Sequence, residues 1–227
     1  VTVNSASLLL LLQHADSAFP SGGFAFSQGL EASSLHAGKI GPLDFEHYVR
    51  SQLTHRWATA DRVALSRAHR LAGDKEATVR LDREVEASSA IDIFRAASKR
   101  NGMAFLTAHR RLGSQPAADY TAFVRSGTAL GHLPVVQGLV WSGLGMNEAD
   151  ATLVSGYQCA MSLATAAVRL GILGAIEAQA ALGRLLPVIE DLAQTPIEDD
   201  EPLSTFTPLS ELAVLMHETS GQRLFSS

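Results

Sequence analysis

Cysteine is nearly missing from this chain: Cys159 stands alone in 227 residues, which excludes a disulfide framework and a thiolate metal cluster. It sits mid-run among small apolar residues and is expected to be an ordinary core side chain. Charge is also sparse. Only 18% of residues are charged, the formal net charge is −5, and no Lys/Arg block occurs, so a dedicated nucleic-acid binder is disfavoured. Strict alternation of apolar and polar residues is lacking, and β-branched clusters are few, so nothing supports a sheet. No internal repeat appears, and no low-complexity block beyond the five leucines at 8–12. The opening stretch VTVNSASLLLLL has no basic n-region and no small-residue cleavage site, so it does not read as a signal peptide, and the expected location is cytoplasmic.

What is present is apolar and helical. Nearly half of the residues are hydrophobic, as in a globular protein with a substantial core, and one domain spanning 1–227 is expected. The stretch 151–193 is the organising element. Ala160, Ala164, Ala167 and Gly171 fall on one helical stripe, where small side chains let a second backbone come close. Ser155, Gln158, Ser162 and Thr165 interrupt the run and Arg169 ends it, which favours the most buried helix of a globular core over a membrane span. Gly171 and Gly174 break the run, a second helix follows over about 175–192, and Pro187 should kink it or mark its last third.

The rest of the chain predicts an all-α bundle of about ten helices. A short helix over 7–15 should bury Leu8 to Leu12, and an irregular loop over 16–27, rich in Gly and Phe around Pro20 and Gly22-Gly23, follows it. Gln28 to His36 continues as helix. Asp44 caps the next one, with Phe45, Tyr48, Val49, Gln52 and Leu53 at helical spacing. Further helices are expected over 61–71, 91–112, 120–130 and 134–144. The charged segment 75–87 should be a solvated face, and Gly113-Ser114-Gln115-Pro116 should close the helix before it. The connector 195–207, with Pro196, Pro202 and Glu198 to Glu201, reads as a flexible acidic loop before a last helix over 208–217 and a tail over 218–227.

No catalytic constellation stands out. The glycine-rich loop lacks the Gly-Lys-Ser/Thr ending of a phosphate-binding loop. Ser17 or Ser21 as nucleophile, with His14 or His132 as base, is a hydrolase arrangement possible on residue types alone, but neither serine sits in a Gly-x-Ser-x-Gly elbow. Eight scattered histidines show no His-x-x-x-His spacing, and His217-Glu218 lacks a second histidine. A metal site could therefore only be assembled across helices. Asp61-Arg62, Glu84 with Glu86, and Glu198 to Glu201 read as surface charge. Arg169 must find either an ion pair within the chain or a partner contact.

Several blocks together are similar to the UreF family of urease accessory proteins. Residues 16–31, DSAFPSGGFAFSQGLE, resemble its N-terminal signature. Thr59 with Asp61, then Gly131-His132 with Val136 and Gly138, follow in the family's order. So do Tyr157, Ala166 to Gly171, Gly174, Glu177 and Gln179, and the ending His217-Glu218…Arg223-Leu224-Phe225…Ser227. Phe26 departs from the histidine or polar residue many members carry, and Ser220-Gly221-Gln222 replaces bulkier residues. The connector 195–207 matches none of these motifs.

The resemblance implies an all-helical, homodimeric assembly factor with no catalysis and no cofactor of its own. Its implied partners are a UreD/UreH-type protein, a UreG-type GTPase and apo-urease, and its implied task is to assist nickel insertion and to modulate the GTPase. Helices near 90–112 and 134–171 are the expected dimer surfaces. The expected partner-binding residues are Asp16, Ser17, Phe19, Pro20, Phe24, Arg169, His217, Glu218, Arg223, Leu224 and Phe225. The tail 218–227 is expected to be a binding element, because Leu224 and Phe225 forfeit roughly 1.5–3 kcal/mol each if left in water. The alternatives are the serine hydrolase above and a metallochaperone carrying its own nickel.

Overall fold

The computed structural model describes residues 5–20, 28–37 and 40–217, with the side chains of 35–37 and 217 excepted. The described residues contain no strand. Eleven α-helices form: α1 (Ser5–Ala15), α2 (Leu30–Ala37), α3 (Pro42–Gln52), α4 (Arg62–Arg70), α5 (Lys75–Ser88), α6 (Asp92–Arg111), α7 (Gln115–Arg125), α8 (Leu133–Gly143), α9 (Glu148–Arg169), α10 (Ala175–Gln194) and α11 (Pro208–His217). A π-helical segment, Leu53–Asp61, joins α3 to α4, so 42–70 is one continuous rod and the rods number ten among the described residues. The all-α expectation holds.

Two cores share one helix. Leu53, Trp57, Leu163, Ala167, Leu182 and Leu185 build the first, between the π segment, α9 and α10. Leu65, Phe105, Leu106, Val136, Val140 and Trp141 build the second, between α4, α6 and α8. Ala151 and Val154 of α9 enter the second core, so α9 spans both. It is nevertheless not the most enclosed helix. Pro134 through Trp141 of α8 are buried without a break, because α4, α6 and α7 close around it. That also removes α8 as a dimer surface, since it has no free face to offer a second copy.

Other expectations change for local reasons. In α1 only His14 is fully buried; Leu8, Leu9 and Leu12 are 46%, 66% and 57% exposed, while Leu10 and Leu11 pack partly on the second core. A run of five leucines covers every side of a helix, and α1 has only one side against the protein. Asp44 is not the N-cap of α3. Gly41 is, and Asp44 at N3 accepts its backbone N–H at 3.0 Å. Gly113, at φ 88°, closes α6 as expected, and Ser114 at once caps α7 with Pro116 in its first turn, so α7 starts earlier than the expected 120. Pro187 lies inside α10 without ending it. Arg169 is the last residue of α9, where a cation complements the C-terminal dipole, and does not interrupt the helix.

The connector 195–207 is tied down along α4. Arg62 Nη1 donates to the Thr195 carbonyl at 2.6 Å, Arg67 Nη1 to that of Glu201 at 3.2 Å, and Arg70 to the Ile197 carbonyl and Asp199 at 3.0 and 2.7 Å. Ser204 and Phe206 donate their backbone N–H groups to the carbonyls of Thr59 and His55 in the π segment. Asp199 is the acidic side chain of the connector that pairs with these arginines; the other bonds take backbone carbonyls, and together they fasten the connector to α4. The surface-charge expectation fails at Arg62, which is 4% exposed; residues 198–200 are exposed, and Glu84, with its side chain 42% exposed, holds Arg67 by two bonds of 2.8 and 2.9 Å.

Candidate functional site

The turn after α1 brings part of the N-terminal signature to a cavity of about 380 Å³. Asp16 Oδ1 accepts the Ala18 N–H at 2.8 Å, and the Phe19 N–H reaches the Asp16 carbonyl at 3.0 Å, which closes the turn. Phe19 packs inward, its ring centroid 4.8 Å from His14 and 5.2 Å from His109. Asp16, Ser17 and Pro20 stay exposed at the rim. The opposite wall is one face of α9, carrying Ser155, Gln158, Cys159, Ser162 and Thr165, and one face of α6, carrying Phe94, Ser98 and Asn101.

The π segment supplies the charges. Arg56 and Asp61 both line the cavity, with Arg56 Nε 3.9 Å from Asp61 Oδ2. Five residues of α-helix would set them about 140° apart; the wider i→i+5 turn returns them to one face. Burial pushes the Asp61 carboxyl up, and the Arg56 charge opposes this. Gln28, at φ 50°, hydrogen-bonds Ser162 Oγ at 2.9 Å and reaches the Cys159 carbonyl at 3.5 Å, while Tyr48 donates to the Gln28 carbonyl at 2.7 Å. Gly29, at φ 85°, follows with Val214 of α11 and Tyr48 too close for a side chain. Cys159 is half-buried rather than fully buried, and burial pushes its thiol up to about 12, so it is no thiolate.

A second polar cluster braces the cavity from behind. Asp82, fully buried on α5, accepts the backbone N–H groups of Leu130, Gly131 and His132 at 2.6, 2.7 and 2.9 Å and the Tyr120 hydroxyl at 3.1 Å. His132 Nε2 meets Glu86 at 2.7 Å and its Nδ1 meets Ser98 Oγ at 3.1 Å. Burial would raise the Glu86 carboxyl, but bonds from Lys99 and His132 outweigh it and hold it low. The order Ser98–His132–Glu86 imitates a proton relay, yet the Leu133 N–H already occupies a lone pair of Ser98 Oγ at 3.2 Å. It works as a clamp on the 130–133 loop, whose Leu133 and Pro134 close the cavity. The segment 75–87, expected to be a solvated face, thus hides the best-satisfied carboxylate of the chain.

The Ser17 site does not assemble. Ser17 makes no hydrogen bond to His14 or His132: the His132 ring is taken by Ser98 and Glu86, and His14 Nδ1 lies 2.9 Å from the Leu10 carbonyl. Ser21, Phe24, Phe26, Glu218, Arg223, Leu224 and Phe225 fall outside the described residues, as does the side chain of His217. Arg169 is on the surface and has an interaction partner. Among the described residues no three His, Cys, Asp or Glu side chains are grouped for a metal ion, and no helix is long and apolar enough to cross a membrane.

A profile of the family described as UreF matches residues 41–186. The urease accessory protein UreF of Trichodesmium erythraeum is 32% identical over 224 residues, covering 96% of both chains. The chain belongs to the UreF family of urease accessory proteins. The UreF protein of Paracoccus denitrificans is 32% identical over 223 residues, covering 98% of this chain and 97% of its own, and that of Yersinia enterocolitica 26% over 232. In UreF terms, Thr59 and Asp61 sit at the end of the π segment, and Gly131-His132 is the loop that Asp82 clamps.

His14 and His109 stack at 5.2 Å with a 7° interplanar angle, and their Nε2 atoms have no hydrogen-bond partner. Burial lowers both, His109 to about 4, with the His14 charge a further cause for His109. Below pH 6.5 the unfolded chain takes up these protons and the folded one does not, so stability is complete above 6.5 and falls as the pH drops toward 4. The expected loss is roughly 2–3 kcal/mol. Thermal melts across that window check it: His109→Phe should flatten the acid slope, and an unchanged slope contradicts the assignment.

Proposed function

We propose that this chain is a non-catalytic scaffold in a complex with a UreD/UreH-type protein and a UreG-type GTPase, which assists nickel insertion into apo-urease in the cytoplasm. Nickel is cargo in this reading, and the protein holds no resident cofactor. The observation that carries it, beside family membership, is the outward face of α11. Leu209, Leu212, Leu215 and Met216 are 82%, 56%, 45% and 58% exposed, while Ser210, Ala213 and Val214 pack inward on the α2 side. A helix apolar on both faces is built for burial on both. Leu8, Leu9 and Leu12 of α1 add a second such surface. Partner contacts are assigned to these faces, to the rim residues Asp16, Ser17 and Pro20 with the half-buried Phe19 between them, to Arg169, and to the tail that follows α11. A homodimer belongs to the same proposal, with α6 the helix that still has surface to contribute.

Co-purification with the UreD/UreH-type and UreG-type proteins tests it. Leu209→Glu with Leu212→Glu, and separately deletion of 218–227, should leave a helical, soluble protein while recovery of the partner and urease activation fall at least tenfold, about 1.4 kcal/mol. Wild-type recovery with both variants rejects the assignment of this surface.

A further inference from the structure

Arg56 and Asn101 stand on the cavity wall with no side-chain hydrogen bond to a described residue, and Asp61 reaches the same wall with its side chain 38% exposed. The Arg56 side chain is 13% exposed and its guanidinium lies 4.2 Å over the Phe94 ring. Among the described residues its salt-bridge partner is Asp61 at 3.9 Å, too far for a hydrogen bond. Asn101 is 4% exposed, on the same face of α6 as Phe94 and Ser98, and makes no hydrogen bond to any described residue. Buried amides and guanidinium groups rarely go without partners. The wall around them is satisfied: Gln28 bonds Ser162, Gln137 bonds Gln158, and Trp57 Nε1 bonds Ser155.

We propose that this cavity binds a small planar amide, a carboxamide or urea-type group whose oxygen accepts from Arg56 and whose N–H donates to Asp61. Charge selects this class. Arg56 and Asp61 form a neutral pair, so an anion seated on Arg56 meets the Asp61 carboxylate, and a cation seated on Asp61 meets the guanidinium. A neutral group with a donor and an acceptor side by side bridges the 3.9 Å gap and repels neither. Asn101 offers both a donor and an acceptor for the ligand's second edge. Leu133 and Met161, both half-buried on the cavity wall, give apolar surface to its flat faces, and 380 Å³ suits a small molecule. The inference stands apart from the scaffold proposal, because it uses none of the α1 or α11 surface.

Fluorine NMR on the full chain tests it with two probes of nearly equal size, trifluoroacetamide and trifluoroacetate. The amide should broaden in the millimolar range and be displaced by acetamide, while the carboxylate binds at least tenfold more weakly. Arg56→Met and Asn101→Leu should each weaken the amide tenfold or more. Arg184→Met, which removes an exposed pair with Glu46, should change nothing. Equal or tighter binding of trifluoroacetate overturns the assignment in favour of an anion site. Absence of binding by either probe overturns it in favour of a water-filled cavity. Full amide binding by both cavity variants, with helicity intact, places the amide elsewhere and also overturns it. If a variant does not fold, the comparison of the two probes on the wild-type chain decides.

Discussion

Replacing Asp82 by alanine is expected to destabilise the fold by about 3–5 kcal/mol. The side chain is fully buried and accepts three successive backbone N–H groups, those of Leu130, Gly131 and His132, besides the Tyr120 hydroxyl. Without it four buried donors lose their acceptor, each with a desolvation cost of its own. Asparagine rescues only in part: with its oxygen at the Oδ2 position its NH2 meets the His132 N–H, and the opposite orientation is worse. Leu130, Gly131 and Tyr120 all address Oδ2, and an amide that keeps an acceptor toward His132 points its NH2 at those three donors. Urea unfolding should show both variants shifted to lower midpoints, with alanine lower by an amount equivalent to roughly 10 °C or more in a thermal melt. An alanine variant within 1 kcal/mol of wild type would mean that the loop does not depend on this carboxylate.

The second large effect is expected at Gly138. A Cβ there would overlap the carbonyl oxygen of Leu65 and lie 2.9 Å from both Ala68 Cβ and the His69 nitrogen. Two of those atoms are backbone of α4, and α8 is enclosed on its other sides, so neither helix can yield locally. Overpacking of this kind costs about 3 kcal/mol. Gly138→Ala should therefore melt well below wild type, and adding Ala68→Gly should recover only part of the loss, because the backbone clashes remain. A double variant that melts like wild type would place the strain in the Ala68 methyl alone.

Fold class could be read from the sequence because it depends on period, and period is local. The last helix, 208–217, and the breaks at Gly171 and Gly174 were legible for the same reason. The errors lie where a distant partner decides. Charge density over 75–87 describes an average face and is silent about the one aspartate that Leu130, Gly131 and His132 turn inward. Composition over 195–207 rightly suggests solvated carboxylates but is silent about the backbone carbonyls that bond Arg62, Arg67 and Arg70. Arg56 and Asp61 are five residues apart, a spacing that carries no α-helical signature, so the charges of the cavity could not be paired without the π turn. The start of α7 at Gln115 is hard to place because Gly113 to Pro116 stops one helix and starts the next within four residues.

The strap that 195–207 lays along α4 also bears on how the chain reaches its native state. Its bonds to Arg62, Arg67 and Arg70 join residues 127 to 134 positions apart. Closing so long a loop costs entropy that only a preassembled bundle offsets, so these contacts form after the rate-limiting step of folding. Weakening them leaves the rate of assembly nearly unchanged and shortens the lifetime of the finished molecule. The three arginines therefore act as a latch on persistence, set late and released first.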